Sequence, residues 1–95
     1  MRGKTQLLRA LPTLNERELT LVWRDVRRAA DVAAIGGATE AQWNQYREVE
    51  SAIEHECERR FGTKPNDYLN REGSDELPQI YARIFKRRKK ESVAK

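Results

Sequence analysis

The stretch that decides the fold covers residues 14–62 and reads LNERELTLVWRDVRRAADVAAIGGATEAQWNQYREVESAIEHECERRFG. Two glycine signals interrupt it, Gly36-Gly37 near the middle and Gly62 at the end. Each follows a segment whose apolar residues recur at helical spacing, which is typical of a helix followed by its C-terminal stop. The stretch therefore predicts two long helices, over residues 14–35 and 40–61.

Capping signals mark where both helices begin. Two overlapping capping boxes precede the first helix and another precedes the second, and in each box a side-chain oxygen and a Glu or Gln three residues later satisfy free backbone amides. The pairs are Thr13 with Glu16, Asn15 with Glu18, and Thr39 with Gln42. Because only a few residues join the two helices, we expect them to fold back as an antiparallel αα-hairpin.

The apolar residues of the two helices predict how they pair. The first helix carries one stripe of Leu19, Val22, Trp23, Val26, Ala29, Ala30 and Ala33, and the second carries Trp43, Tyr46, Val49, Ile53, Cys57 and Phe61. In an antiparallel hairpin with this turn, facing residue numbers sum to about 76, so that Val22 meets Ile53. Near the turn, small residues then oppose large ones, as close packing requires.

Two further helices complete the predicted fold. Ser74 can cap a helix over residues 75–90, in which Leu77, Ile80 and Ile84 belong to a clean amphipathic face. Leucines at 7, 8 and 11 indicate a short helix over residues 5–11. The sequence thus predicts an all-α protein, a small helical bundle of one domain built on the hairpin with a third amphipathic helix against it.

Composition points to a thin core and a reducing compartment. Leu, Ile, Val and Phe account for 19 of the 95 residues, close to the limit below which chains stay disordered, so we expect a homo-oligomer that buries more apolar surface. Cys57 is the sole cysteine and cannot form an intramolecular disulfide, which favours a cytoplasmic protein, associated with the nucleoid in a bacterium or present in a eukaryotic nucleus. No apolar stretch approaches the roughly 20 residues that span a bilayer, so no membrane partner is expected.

The sharpest feature is a run of five bases at the end of the last predicted helix, within a basic C-terminal end at residues 86–95. It consists of Lys86, Arg87, Arg88, Lys89 and Lys90. Such a run can neutralise phosphates of DNA or RNA without reading their sequence. Two other interpretations stay open, because bases also favour the C-terminal turn of a helix in water and can dock on an acidic protein.

Glu50 is the second unusual feature. The predicted register puts its carboxylate inside the apolar arc of the second helix, where a charge needs a partner. We expect that partner to be Arg83 or Arg87 of the last helix, or an arginine of another subunit, so that Glu50 specifies packing. A contact with a ligand or another protein is the alternative.

The sequence offers little for catalysis. His55 and Cys57 are two positions apart, about 200° around a helix, so they cannot form a nucleophile and base pair there. The acids around His55 radiate in all directions, whereas a metal site needs converging ligands. We therefore expect a protein without enzymatic activity, cofactor or metal.

Two functions follow from these features. The first is a small regulatory protein that binds nucleic acid through phosphate contacts of its basic C-terminal helix. The alternative is an adaptor or inhibitor that contacts another protein, for example a host protein targeted by a phage or plasmid modulator, through a helical face.

Overall fold

The computed structural model describes residues 3–65 and 74–93, with side chains in the last helix as far as Phe85. Helix α1 spans Lys4–Ala10, α2 spans Glu16–Ile35, α3 spans Glu40–Phe61 and α4 spans Leu77–Val93. Short 3-10 turns at Leu11–Thr13 and Ser74–Glu76 precede α2 and α4. No strand occurs among the described residues, so the all-α prediction is confirmed.

The two long helices form the predicted hairpin, and local signals set their ends. Asn15 accepts a hydrogen bond from the Glu18 amide at 2.8 Å, and the Glu18 carboxylate accepts one from the Asn15 amide at 3.0 Å. Thr13 takes no part in this cap, because its hydroxyl donates to the Ala10 carbonyl at 2.6 Å. Of the two overlapping boxes, the one at Asn15 therefore forms, and α2 begins at Glu16 rather than at residue 14.

The turn between the helices uses both predicted stops. Helix α2 ends at Ile35, and Gly37 has φ +87°, a backbone conformation that residues with a side chain rarely adopt. Thr39 then opens α3 by accepting from the Gln42 amide at 3.2 Å. This tight connection brings the Trp23 indole to the Glu54 carboxylate, with Nε1 and Oε2 3.0 Å apart, a pair whose numbers sum to 77.

The core lies where all four helices meet. Its buried apolar side chains are Leu7, Leu11, Leu14, Leu19, Leu21, Val22, Trp23, Val26, Val49, Ile53, Cys57 and Ile80. The predicted stripes contain most of the α2 and α3 members, but not Leu21, which is buried. Leu21 and Leu77 of α4 line the same small cavity. The placement of Phe61 on the apolar side was wrong: it is the last residue of α3, and its ring is 37% exposed beneath the Arg60 guanidinium.

The outer helices cover one side of the hairpin. Helix α1 packs on α3, while α4 packs on α1 and α2. Polar contacts fix these positions, including the Tyr81 hydroxyl on Asp25 at 2.7 Å and the Lys4 ammonium on Glu48 at 2.9 Å. Phe85 lies so close to Gly3, which has φ +76°, that a Cβ there would stand 3.0 Å from the ring. The bundle thus needs glycine where α4 crosses the start of α1.

Candidate functional site

The basic run lies in the last part of α4. The helix continues through Lys86, Arg87, Arg88, Lys89 and Lys90 to Val93, but the side chains of these residues lie outside what the structure describes. Their contact with phosphates stays a prediction. The described part of α4 shows what precedes them, an amphipathic segment in which Ile80 is buried and Tyr81, Ile84 and Leu77 pack against the core.

The structure does not bring Glu50 and Arg83 together. The Arg83 guanidinium instead donates to the Glu18 carboxylate at 2.9 Å, since α4 packs on the side of α2 that carries Glu18. Glu50 lies between α2 and α3 on another side of the hairpin. Its nearest base is Arg47, one turn earlier on α3, with Nε and Oε1 3.9 Å apart. Of the three partners expected for Glu50, Arg83 was therefore wrong, because α4 does not place it on the face where Glu50 lies. The side chain of Arg87 lies outside what the structure describes, and an arginine of another subunit stays a prediction.

Glu50 lines a polar cavity that we call the hairpin groove. The groove has a volume of about 270 Å³, and all the residues that line it belong to α2 and α3. They are Arg27, Ala30, Asp31, Trp43, Arg47, Glu50 and Glu54. With its helices in antiparallel register, the hairpin places residues 27–31 opposite residues 43–54. The groove therefore follows from the hairpin itself and needs neither α1 nor α4.

Two tryptophan–arginine pairs flank the hairpin groove. The Arg27 guanidinium stands over the Trp23 ring at 4.8 Å from its centroid, and Arg47 stands over Trp43 at 5.1 Å. Each arginine lies one helical turn after its tryptophan, so the helix places cation above ring. Trp23 is buried in the core, and Arg27 above its ring lines the groove.

The Glu50 carboxylate has an uncommon environment. The residue is 8% exposed, and no hydrogen bond to it occurs among the described residues. Burial raises its pKa above the ordinary value, while the positive charges of Arg47 and Arg27 act in the opposite direction. Glu54 differs from it, because its carboxylate accepts the indole hydrogen bond from Trp23.

The lone cysteine and histidine do not form a reactive pair. Cys57 is buried in the core, and burial raises the pKa of its thiol, so the nucleophilic thiolate is disfavoured. His55 is exposed on the outer side of α3, at an open groove of about 550 Å³ that also includes Leu8 and Pro12. No group of three or more metal-ligating side chains converges within the described ranges.

Comparison with known proteins returns no relative. No protein-family model, no curated protein and no solved structure matches this chain. Among the helices that the structure describes, none combines the length and the apolar character required to cross a membrane. The fold and the chemistry of named residues are therefore the available guides to function.

The hairpin groove was not predicted as a unit. The sequence marked Glu50 as unusual, but it gave Arg27, Asp31, Trp43 and Arg47 no common role. A signal was present in the register, because Arg27 with Glu50 and Ala30 with Arg47 both sum to 77, as Trp23 with Glu54 does. Residues that face each other across an antiparallel hairpin can be identified from this constant sum of their residue numbers.

Proposed function

We propose that this protein binds nucleic acid through phosphate contacts made by the basic end of α4. The distribution of charge along the chain carries this proposal. Residues 3–65 contain ten Lys and Arg against ten Asp and Glu, so the hairpin and α1 together are neutral. The last ten residues contain six Lys and Arg and one Glu. The positive excess of the whole protein therefore belongs to the end of α4.

Ion pairs support this division of charge. Many bases of the helical body already face a carboxylate, and a base in an ion pair gains less from a phosphate than an unpaired one. The pairs are Lys4 with Glu48, Arg17 with Glu76, Arg59 and Arg60 with Glu56, and Arg83 with Glu18. A polyanion that approaches the body therefore meets a surface on which these five bases are already paired with carboxylates.

The helical setting of the basic run favours phosphate contact over base recognition. Consecutive residues of an α-helix are about 100° apart, so five bases in sequence distribute positive charge around the helix rather than along one edge. Recognition helices instead present a few selected side chains to base edges in the major groove. We therefore expect affinity for many sequences, with a strong dependence on salt.

The test compares two triple variants of equal net charge. One replaces bases in the run, Arg88→Gln, Lys89→Gln and Lys90→Gln. The control replaces three exposed bases of the body, Arg9→Gln, Arg28→Gln and Lys64→Gln. None of these three forms an ion pair with another described residue. Fluorescence polarisation then measures the affinity of each full-length chain for labelled random duplex DNA and single-stranded RNA at 50 and 200 mM salt.

The proposal gives a definite order of affinities. The unmodified chain should lose about 10²-fold or more in affinity between the two salt concentrations. The variant in the run should bind much more weakly than the body control at 50 mM, with a shallower dependence on salt. Equal losses in both variants would show that net charge alone matters, and no binding at 50 mM would refute the proposal in favour of a protein partner.

A further inference from the structure

Helix α4 contributes little to the buried core. Of the twelve buried apolar residues in the core cluster, eleven lie within residues 7–57. Ile80 is the one that α4 supplies from the part whose side chains the structure describes. Leu77, Tyr81 and Ile84 are only partly buried against this core. The core therefore depends little on α4.

The segment that precedes the hairpin is held to it without α4. The Arg60 guanidinium of α3 donates hydrogen bonds to the carbonyl of Leu14 at 2.8 Å and to that of Leu11 at 3.3 Å. Lys4 of α1 forms its ion pair with Glu48 of the same helix α3. Helix α1 and the hairpin thus form a unit that is held together by contacts of its own.

Polar contacts at the surface attach α4 to α2. Two of them are ion pairs in which the arginine side chain is 51% exposed. The pairs are Arg17 with Glu76 and Arg83 with Glu18. Exposed ion pairs contribute little to stability, and salt screens them further. Together with the hydrogen bond from Tyr81 to Asp25, they give α4 an attachment that depends on ionic strength.

We propose that α4 is a detachable arm, which leaves the hairpin while α1, α2 and α3 stay folded and which docks less firmly as the salt concentration rises. Local openings of this kind need less free energy than global unfolding. A helix of 17 residues is only marginally stable alone in water, so the detached arm loses the hydrogen bonds that protect its amides. The arm carries the basic run, but its detachment stands independently of nucleic-acid binding.

Hydrogen exchange of the full-length chain, followed at each amide by NMR in 50 mM NaCl, provides the test. The amides of residues 81–85 report on α4, because they follow its first four amides, which lack helical partners. Those of Val26 and Ile53, both buried, report on the hairpin. After correction for intrinsic rates, the α4 amides should exchange about tenfold or more faster than the hairpin amides.

A core substitution separates local detachment from global unfolding. Helix α3 packs on α1 and α2, so the contacts of Ile53 persist when α4 detaches. Ile53→Val should therefore speed exchange of the hairpin amides about fivefold and leave that of residues 81–85 within about twofold of the unmodified chain. Tyr81→Phe should speed exchange of the α4 amides about fivefold, since it removes a contact of the docked arm.

Two double variants of equal net charge test the salt dependence. Glu76→Gln with Arg83→Gln breaks both ion pairs between α4 and α2. It should speed exchange of the α4 amides about threefold to tenfold at 50 mM NaCl, with little further change at 500 mM. Glu58→Gln with Lys64→Gln makes the same change at exposed positions of the body. This control should exchange like the unmodified chain, in which 500 mM NaCl speeds the α4 amides severalfold.

Three results would overturn the proposal. The first is protection of residues 81–85 equal to that of the hairpin amides in the unmodified chain, a comparison that needs no variant. The second is equal acceleration of both groups of amides by Ile53→Val, which would show that α4 leaves only when the whole protein unfolds. The third is a double variant of α4 whose exchange responds to salt as strongly as that of the unmodified chain.

Discussion

Tyr81 of α4 donates a hydrogen bond to Asp25 of α2, with Oη and Oδ2 2.7 Å apart. Burial and this carboxylate raise the pKa of Tyr81 above its ordinary value. The neutral phenol is therefore the form that the fold favours. The contact matters because Ile80 is the one fully buried side chain in the part of α4 whose side chains the structure describes, Leu77 to Phe85.

The first prediction concerns this hydrogen bond. Tyr81→Phe should lower the free energy of unfolding by about 1 kcal/mol, because phenylalanine has no hydroxyl group to donate to the Asp25 carboxylate. Since the folded-state pKa is raised, this contribution is complete below pH 10 and is lost as the pH rises through the folded-state pKa. Urea denaturation at pH 7 measures the loss. The control is Tyr46→Phe, a half-buried tyrosine of α3, and a similar loss there would contradict the assignment.

The second prediction compares two isoleucines that differ in burial. Ile53 is fully buried and Ile35 is 88% exposed. Ile53→Ala should destabilise the protein by about 3 kcal/mol through lost burial and a cavity. Ile35→Ala, the same chemical change, should alter stability by less than about 0.5 kcal/mol. Thermal or urea unfolding monitored by circular dichroism measures both.

The thin core makes a second substitution necessary at position 53. If Ile53→Ala does not fold, Ile53→Val should still fold and lose about 1 kcal/mol. A loss at Ile35 as large as that at Ile53 would show that the hairpin tip is buried in solution, for instance against a second copy of the chain.

The third prediction concerns the start of α2. Asn15 and Glu18 cap this helix reciprocally, so Asn15→Ala should cost about 1 kcal/mol, whereas Asn15→Gly should cost only a few tenths. Glycine tolerates the extended cap conformation but lacks the side-chain acceptor. Equal costs for the two variants, measured by urea unfolding, would mean that the hydrogen bond rather than the backbone conformation determines the whole effect.

The hairpin could be predicted from sequence because its determinants are local. Capping residues, glycine stops and apolar spacing all act within a few residues, and the short turn then fixes the register. The choice between the Thr13 and Asn15 boxes could not be made in advance. It depends on the 3-10 turn at Leu11–Thr13, where the Thr13 hydroxyl finds the Ala10 carbonyl.

The position of α4 could not be predicted, because it depends on contacts between distant residues. An amphipathic face shows that a helix packs, not on which side of the hairpin. The pairing of Arg83 with Glu50 was wrong for this reason. Arg83 forms its ion pair with Glu18, and Glu50 lies on another side of the hairpin, next to Arg47. Phe61 was misplaced for a similar reason, because helical spacing does not show where a core ends.

Glu50 gives the fourth prediction, which concerns stability and pH. Because burial raises its folded-state pKa above the ordinary value, the fold favours the protonated carboxyl. The stability that this preference contributes is complete below the ordinary pKa of 4.5 and is lost as the pH rises through the folded-state pKa. At neutral pH, ionised Glu50 therefore costs stability, and a neutral isostere avoids that cost.

Glu50→Gln should accordingly raise the free energy of unfolding at pH 7, but by less than about 1 kcal/mol, because water and the nearby Arg47 guanidinium screen the carboxylate. For a domain of this size, this corresponds to an increase in Tm of a few degrees. The gain should vanish near pH 3.5, where the carboxyl of the unmodified chain is protonated as well. Thermal unfolding of both chains across this pH range measures the difference, with Glu58→Gln as the exposed control. A gain that persists at low pH would trace to packing instead of ionisation. A loss at pH 7 would mean that ionised Glu50 already has a stabilising partner within the folded chain.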